Sequence, residues 1–193
     1  MNLKMKDFVL LALLTALYII VYFVAMMIIS LMGPFGHAIS PGVCGLLSGA
    51  ILIFISRKIG KMWQFTLMEL IIMGVFALMG AGYLPWFITS MIGAVLADVI
   101  TSTSNKPSVI KVAIASGLIH VGNALGGIIP ACFFAEQYMN EWIARGQKPD
   151  QMLEMVKATQ GVMGILGTVI TFILSVIGVY IGYSILKGHL KEN

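Results

Sequence analysis

Long runs of apolar residues dominate the sequence, and the first extends over residues 8–32 without a charged side chain. A membrane-spanning helix needs about 20 predominantly apolar residues, so this run is long enough to cross a bilayer. Of the 193 residues, 59% are hydrophobic and 10% are charged, whereas soluble domains carry roughly 25% charged residues. A water-soluble core of this size cannot bury so much apolar surface. We therefore predict an all-α membrane protein.

Glycine, proline and charged residues divide the chain into six predicted spans, which form a compact bundle in a single transmembrane domain, residues 1–193. The first run follows two lysines, as in a signal peptide. It exceeds the ~7–15 apolar residues of a signal sequence, so we expect it to be retained. Pro41 is expected to open the second span and Pro130 to close the fifth. The predicted spans cover residues 8–32, 39–56, 63–80, 85–103, 108–130 and 160–186.

One polar segment, about residues 134–158, separates spans five and six. Its apolar residues recur at helical spacing, and Gly146 and Pro149 divide it in two. We predict two short amphipathic helices here, which lie on the membrane face or over the bundle.

The basic residues predict the orientation of the chain. Nine of the 12 lysines and arginines fall on one side of a six-span topology, and the other three lie in the polar segment. By the positive-inside rule, this is a multi-pass protein of the cell membrane with both termini in the cytoplasm. The nine are Lys4, Lys6, Arg57, Lys58, Lys61, Lys106, Lys111, Lys187 and Lys191.

Three polar residues share one face of span five, because Ser116, His120 and Asn123 follow helical spacing. Lipid cannot satisfy these side chains, so the face must point into the bundle. Polar residues inside a membrane are functional by default, and we expect a small-molecule pocket that opens outward above His120 and Asn123. The alternative is that both side chains only form hydrogen bonds between helices.

Loop residues are expected to complete this pocket. The segment GPFGH would bring His37 over it, and GYLPW would bring Tyr83 and Trp86. Aromatic rings supply faces for stacking, while histidine or asparagine fixes a polar edge. Trp86 can also be read as an aromatic residue of the membrane interface. We expect a compact, partly aromatic, polar ligand that is not strongly anionic, because the pocket has no basic residue.

Glu69 and Asp98 are the acids inside the predicted spans, both toward the cytoplasmic ends. There they can meet loop lysines or water, so we expect structural or coupling roles. No zinc-protease, Walker or nucleophile–base motif occurs, and Cys44 and Cys132 lack metal-ligand spacing. We expect neither an enzyme nor a metal or cofactor site, and no hydrolysis of ATP by this chain. The net charge of +4 gives no reason to expect a nucleic-acid partner.

The stretch ALLTA places Ala12 and Ala16 one helical turn apart on span one. Such small-residue strips let helices approach closely in lipid, either within a bundle or against a partner. Glycine pairs at residues 45–49, 122–126 and 178–182 are similar, and we expect those to pack inside the bundle.

The chain resembles the substrate-binding S component of energy-coupling factor (ECF) transporters. The resemblance rests on the basic N-terminus, the strip of Ala12 and Ala16, the uncharged outer loops and GAVLAD at 93–98. More narrowly, it resembles the Trep_Strep group and covers nearly the whole chain. That narrower likeness rests on LTALYIIVYFV at 14–24, the Trp86 segment that runs into GAVLADVI, and WIARGQKPDQMLEMV at 142–156.

The resemblance implies several roles. Ala12 and Ala16 would dock on a transmembrane T component, which two cytoplasmic ATPases drive with ATP. The S component would capture a vitamin-like nutrient from outside, topple in the membrane and release it inside; a pyridoxine-like or hydroxymethylpyrimidine-like nutrient suits the predicted pocket. The loop between spans one and two gates such proteins, so residues 33–40, with Gly33, Pro34 and Gly36, would be the lid.

Other functions stay open at this point. A stand-alone ion-coupled secondary transporter would use Glu69 and Asp98 to carry the coupling ion. An intramembrane enzyme would use His120 with an acid. A structural membrane subunit would have no ligand and no pocket.

Overall fold

A computed structural model describes residues 3–102 and 106–188, and within them the chain forms eight α-helices and no strand. Six of the helices are long and apolar enough to cross a membrane. This confirms the predicted all-α bundle with amphipathic helices before the last span. Lys191 and the predicted end of span four at residue 103 lie outside the described residues. The spanning helices are α1 (Met5–Ser30), α2 (Pro34–Lys58), α3 (Gln64–Phe76, continued by a π-helical turn, Ala77–Ala81), α4 (Leu84–Thr101), α5 (Val109–Phe133) and α8 (Val162–Leu186).

Residues 33–40 do not form the predicted gating loop, because α2 begins at Pro34. Proline suits the first turn of a helix, where a backbone N–H needs no intrahelical partner. Pro41 lies inside α2 and cannot donate to the carbonyl of His37, but the Ser40 hydroxyl donates to that carbonyl at 3.2 Å. The prediction that Pro41 opens the span was therefore wrong.

The fifth span also runs further than predicted. Pro130 lies inside α5, which ends at Phe133. The helical ladder continues past the proline, since the N–H of Phe134 donates to the Pro130 carbonyl at 2.8 Å. Proline costs a helix one hydrogen bond but need not end it, so the prediction that Pro130 closes this span was wrong.

Glycines bring two pairs of helices into backbone contact. A Cβ atom at Gly49 of α2 would overlap the backbone of Gly178 in α8. A Cβ atom at Gly122 of α5 would lie 2.6 Å from the carbonyl oxygen of Thr89 in α4. Close backbone approach through small residues is the usual way to pack helices in lipid. The prediction that the glycine pairs pack inside the bundle is confirmed.

Two polar contacts define one end of the bundle, which we call the basal face. Asp7, in the first turn of α1, accepts a hydrogen bond at 2.5 Å from Nζ of Lys61, which lies between α2 and α3. Asp98, near the end of α4, accepts from the backbone N–H groups of Phe65 and Thr66 at 3.0 and 2.8 Å. Asp98 thereby caps the start of α3.

Helices α6 (Ala135–Ala144) and α7 (Pro149–Thr159) cover the opposite end, which we call the insert face. α7 packs on α2 and α5, with Met152 and Val156 buried. Arg145, at the end of α6, donates from Nη1 to the carbonyl oxygen of Gly82 at 2.7 Å. Of the two placements predicted for this segment, the structure has the one over the bundle.

The glycine contacts generate a stability prediction. Gly49→Ala forces α2 and α8 apart, so the purified protein should lose about 1–3 kcal/mol of stability, measured as a lower apparent melting temperature in detergent. Gly74→Ala is the matched control, because a Cβ atom there meets nothing within 4 Å. Equal melting temperatures for the two variants would contradict the close α2–α8 contact.

Candidate functional site

His120 is buried near the middle of α5, and both of its ring nitrogens have partners. Nδ1 lies 2.7 Å from the backbone oxygen of Ser116, and Nε2 lies 2.9 Å from the hydroxyl of Tyr18. A carbonyl oxygen only accepts, so we assign Nδ1 as the donor and Nε2 as the acceptor of the Tyr18 hydrogen. His120 therefore links α1 to α5, and both of its ring nitrogens form hydrogen bonds with protein atoms.

Asn123 lies one turn further along α5 and joins three helices. Its Nδ2 donates to Oε1 of Glu69 in α3 at 3.0 Å. Its Oδ1 accepts from Nε1 of Trp86 at 3.1 Å and from the Ser90 hydroxyl at 3.2 Å, both in α4. One side-chain amide thus fixes the relative positions of α3, α4 and α5.

Glu69 is more buried than predicted. Its side chain bonds Asn123 near the middle of α5, and only 1% of the residue is exposed. The reason is that α3 starts inside the bundle, where Asp98 rather than solvent caps its first turn. Glu69 lies toward the starting end of its span, as predicted, but the prediction that it can meet loop lysines or water there was wrong.

A cleft of about 260 Å³ opens at the insert face, between the end of α3 and the start of α4. Tyr83 and Trp86 both line it, together with Met73 from α3. Trp86 also bonds Asn123, so the cleft and the buried polar residues share one side chain. Four of the five predicted pocket residues thus lie along one path, from Tyr83 through Trp86 and Asn123 to His120.

Helix α6 packs against the rim of this cleft through aromatic residues. The ring of Tyr83 lies 5.5 Å from that of Tyr138 and 5.9 Å from that of Trp142, between centroids. Burial raises the pKa of Tyr83 and that of Tyr138 to about 12. Both hydroxyls are therefore protonated at neutral pH and present no charge to the cleft.

His37 does not join this group. It lies exposed in the first turn of α2, a segment that is helical rather than looped. Gly36 packs so tightly against Ile29 of α1 that a Cβ atom would come within 2.8 Å of that side chain. The predicted lid formed by Gly33, Pro34 and Gly36 is thus a packed helix start, and only residues 31–33 connect α1 to α2.

Sequence reasoning missed Tyr18, Ser90 and the burial of Glu69. A signal for Tyr18 exists, because Leu11, Thr15 and Tyr18 follow helical spacing and are all buried. Which face of α1 turns inward depends on its neighbours, and the apolar run does not reveal it. Within the described ranges, no group of three or more histidine, cysteine or acidic residues is placed to hold a metal ion.

The opposite side of α1 exposes Ala12 and Ala16. α1 is also the least buried of the six spanning helices. The small-residue strip therefore takes no part in packing within the described bundle, unlike the glycine pairs. It leaves a shallow patch on a surface otherwise formed by bulky side chains such as Leu13 and Leu17.

The hydrogen bond between Tyr18 and His120 generates a second prediction. Tyr18→Phe leaves Nε2 of a buried histidine without a partner, which costs about 1–3 kcal/mol and should lower the apparent melting temperature in detergent. Tyr22→Phe is the control, because it removes a hydroxyl from the same helix at a residue whose ring packs against Phe76 rather than bonding His120. If both variants melt alike, the Tyr18–His120 bond does not hold α1 in place.

Comparison with known proteins adds one finding. No curated protein and no solved structure matches the chain. A family model described as "hypothetical bacterial integral membrane protein (Trep_Strep)" matches residues 5–192, which is nearly the whole sequence and includes every residue of the site. The chain therefore belongs to the Trep_Strep family of bacterial integral membrane proteins.

Proposed function

We propose that the chain is the membrane-embedded, substrate-binding subunit of an ATP-driven ECF importer. The observation that carries the proposal is that the two sides of α1 have different surroundings. One side exposes the Ala12 and Ala16 strip, and the other supplies Tyr18 to the buried polar residues. A helix of this kind can connect a partner subunit to a binding site through a single rigid element.

The cleft supports a role in binding. Its wall contains three aromatic residues, Tyr83, Trp86 and Phe87, and Trp86 donates a hydrogen bond to the amide oxygen of Asn123. Sites for small molecules combine apolar walls with a few fixed polar groups. The ligand would be a compact, vitamin-like nutrient with a flat ring, such as a pyridoxine-like or hydroxymethylpyrimidine-like molecule.

The distribution of charge supports movement of the whole body within lipid. The three acids in the described spans, Asp7, Glu69 and Asp98, are all buried. The basic residues of those spans lie in the first or last turn of their helices: Lys6, Arg57, Lys58 and Lys111. An exposed charge would oppose rotation through the hydrocarbon layer. A subunit of this kind would take up its nutrient from outside, topple and release the nutrient inside.

The partners would be a transmembrane T component and two cytoplasmic ATPases, which would hydrolyse the ATP. Lys61 and Asp7 belong to the basal face, and the positive-inside rule places such a basic end in the cytoplasm. Ala12 and Ala16 lie within three turns of the start of α1. The strip is therefore on the side where ATPases would couple to the bundle.

Glu69 favours a second candidate, a stand-alone ion-coupled secondary transporter. A buried carboxylate next to Asn123 is the kind of group that carries a proton in membrane transport. Purified protein in vesicles without ATPases separates the two candidates. Nutrient uptake driven by a proton or sodium gradient would favour the second candidate, and uptake only after addition of the ATPase complex would favour the first.

The exposed strip generates a third prediction. Leucine at both positions, Ala12→Leu with Ala16→Leu, fills the shallow patch and should abolish co-purification of the chain with a T component and ATPases. The physical reason is that small-residue contacts depend on close helix approach. The measurement is the yield of partner subunits per tagged chain after extraction in mild detergent.

Ser184→Leu is the matched control for this experiment. Ser184 is exposed near the end of α8, so the change adds similar bulk to a lipid-facing position away from α1. Full assembly with the double α1 variant would contradict the proposed docking role. An equal loss of partner subunits with Ser184→Leu would contradict it as well, because the effect would then not be specific to the strip.

A further inference from the structure

Glu69 has one carboxylate oxygen that no protein group satisfies. Oε1 accepts from Asn123, but Oε2 is buried and has no hydrogen-bond partner among the described residues. Buried polar atoms without a partner are rare in proteins, and each one calls for an explanation. A bound ligand with a hydrogen-bond donor is one such explanation.

Among the described residues, no lysine or arginine forms an ion pair with Glu69. The salt bridges of the described residues involve Asp7 and Glu141, not Glu69. The ionisable groups that lie near Glu69 are Tyr18, Tyr22 and Cys44, and none of them is a cation. A carboxylate in an apolar interior is strongly disfavoured unless a cation or several donors pair with it.

Two residues that line the cleft are connected to Glu69. Met73 lines the cleft and lies one helical turn from Glu69 on the same face of α3. Trp86 lines the cleft as well, and its indole N–H bonds the amide that holds Glu69. The indole of Trp86 thus contacts both the open cleft and the Asn123 side chain that bonds Glu69.

The polar pair can stay in place if Trp86 moves. Ser90 donates to the same oxygen of Asn123 at 3.2 Å, so Asn123 keeps a donor on Oδ1 without the indole. Its Nδ2 remains bonded to the Ile119 carbonyl at 3.1 Å and to Glu69. The acceptor site is therefore preorganised independently of the ring that covers it.

We infer that this site binds a small organic cation: a flat ring that packs against Trp86 in the cleft and carries a charged N–H donor for Oε2 of Glu69. The inference rests on the proposed function and narrows its substrate class to protonated amines or amidines on an aromatic ring. The cleft volume of about 260 Å³ is at the small end of ligand sites, which suits a molecule of one ring.

The test uses the full-length purified chain and three probes of nearly equal shape. Benzamidine is a cation with N–H donors, benzamide is its neutral counterpart, and benzoate is the anion. Equilibrium dialysis against the protein in detergent, with empty micelles to correct for partitioning, measures each affinity. We expect saturable binding of about one benzamidine per chain, about tenfold or more tighter than benzamide, and no binding of benzoate.

This comparison needs no variant, so a folding defect cannot obscure it. Benzamide that binds as tightly as benzamidine would overturn the inference, since it would mean that Glu69 is protonated and needs no cation. Saturable binding of benzoate, or no saturable binding of benzamidine, would overturn it too.

Two variants test whether Glu69 causes the preference for benzamidine over benzamide. Glu69→Gln keeps the size of the side chain and removes its charge, so it should reduce benzamidine affinity about tenfold and leave benzamide affinity unchanged. Glu154→Gln is the matched control, because Glu154 is an exposed glutamate of α7. An unchanged preference for the cation in Glu69→Gln would overturn the inference.

The cation-binding inference and the proposed importer function can fail independently of each other. Partner subunits recovered with wild-type protein that does not prefer benzamidine would leave the importer role intact and remove only the cationic substrate class. A preference for benzamidine in a chain that never assembles with ATPases would support the site and argue against the importer.

Discussion

The bundle depends on hydrogen bonds between side chains that lipid and apolar neighbours cannot replace. Asn123 joins α3, α4 and α5, and His120 joins α5 to α1 through Tyr18. In an apolar interior an unpaired polar group is costly, so these residues specify which helix faces turn inward. The same bonds link Glu69 to Trp86 through Asn123, and Trp86 lines the cleft at the insert face.

The spanning helices differ in how closely they pack against their neighbours. Glycine contacts lock α2 to α8 and α4 to α5 at backbone distance, whereas α1 is the least buried spanning helix and attaches through polar contacts at Asp7 and Tyr18. Close packing resists deformation, so we expect little movement between the helices within each glycine-packed pair. Because α1 exposes most of its surface, it is suited to contact another protein while it remains connected to the buried polar residues.

The sequence predicts the number of spans from the length of the apolar runs and the amphipathic insert from its helical period. It also predicts the inward face of α5, because lipid cannot satisfy polar side chains. Each of these signals is contained within one segment of the chain. It does not predict the helical start at Pro34, because Pro41 suggests a helix boundary, whereas the helix continues through it and the Ser40 hydroxyl bonds the carbonyl that Pro41 leaves without an N–H donor. It also does not predict that Glu69 is buried, which follows from Asp98 capping α3 across the bundle. The sequence does not single out Tyr18, because the face of α1 that turns inward depends on contacts with distant residues such as His120. Trp86 and Asn123 were both predicted to lie at the pocket, which stays a prediction, and their direct hydrogen bond was not predicted.

The most direct test of the central claim is mass spectrometry of the wild-type chain, purified with its associated molecules from its own bacterial membrane in mild detergent. We predict a transmembrane partner, two ATPase subunits and about one small molecule per chain, released on denaturation. Recovery of the chain alone, with no partner subunit and no bound small molecule, would contradict the claim that this bundle captures a nutrient for an ATP-driven complex.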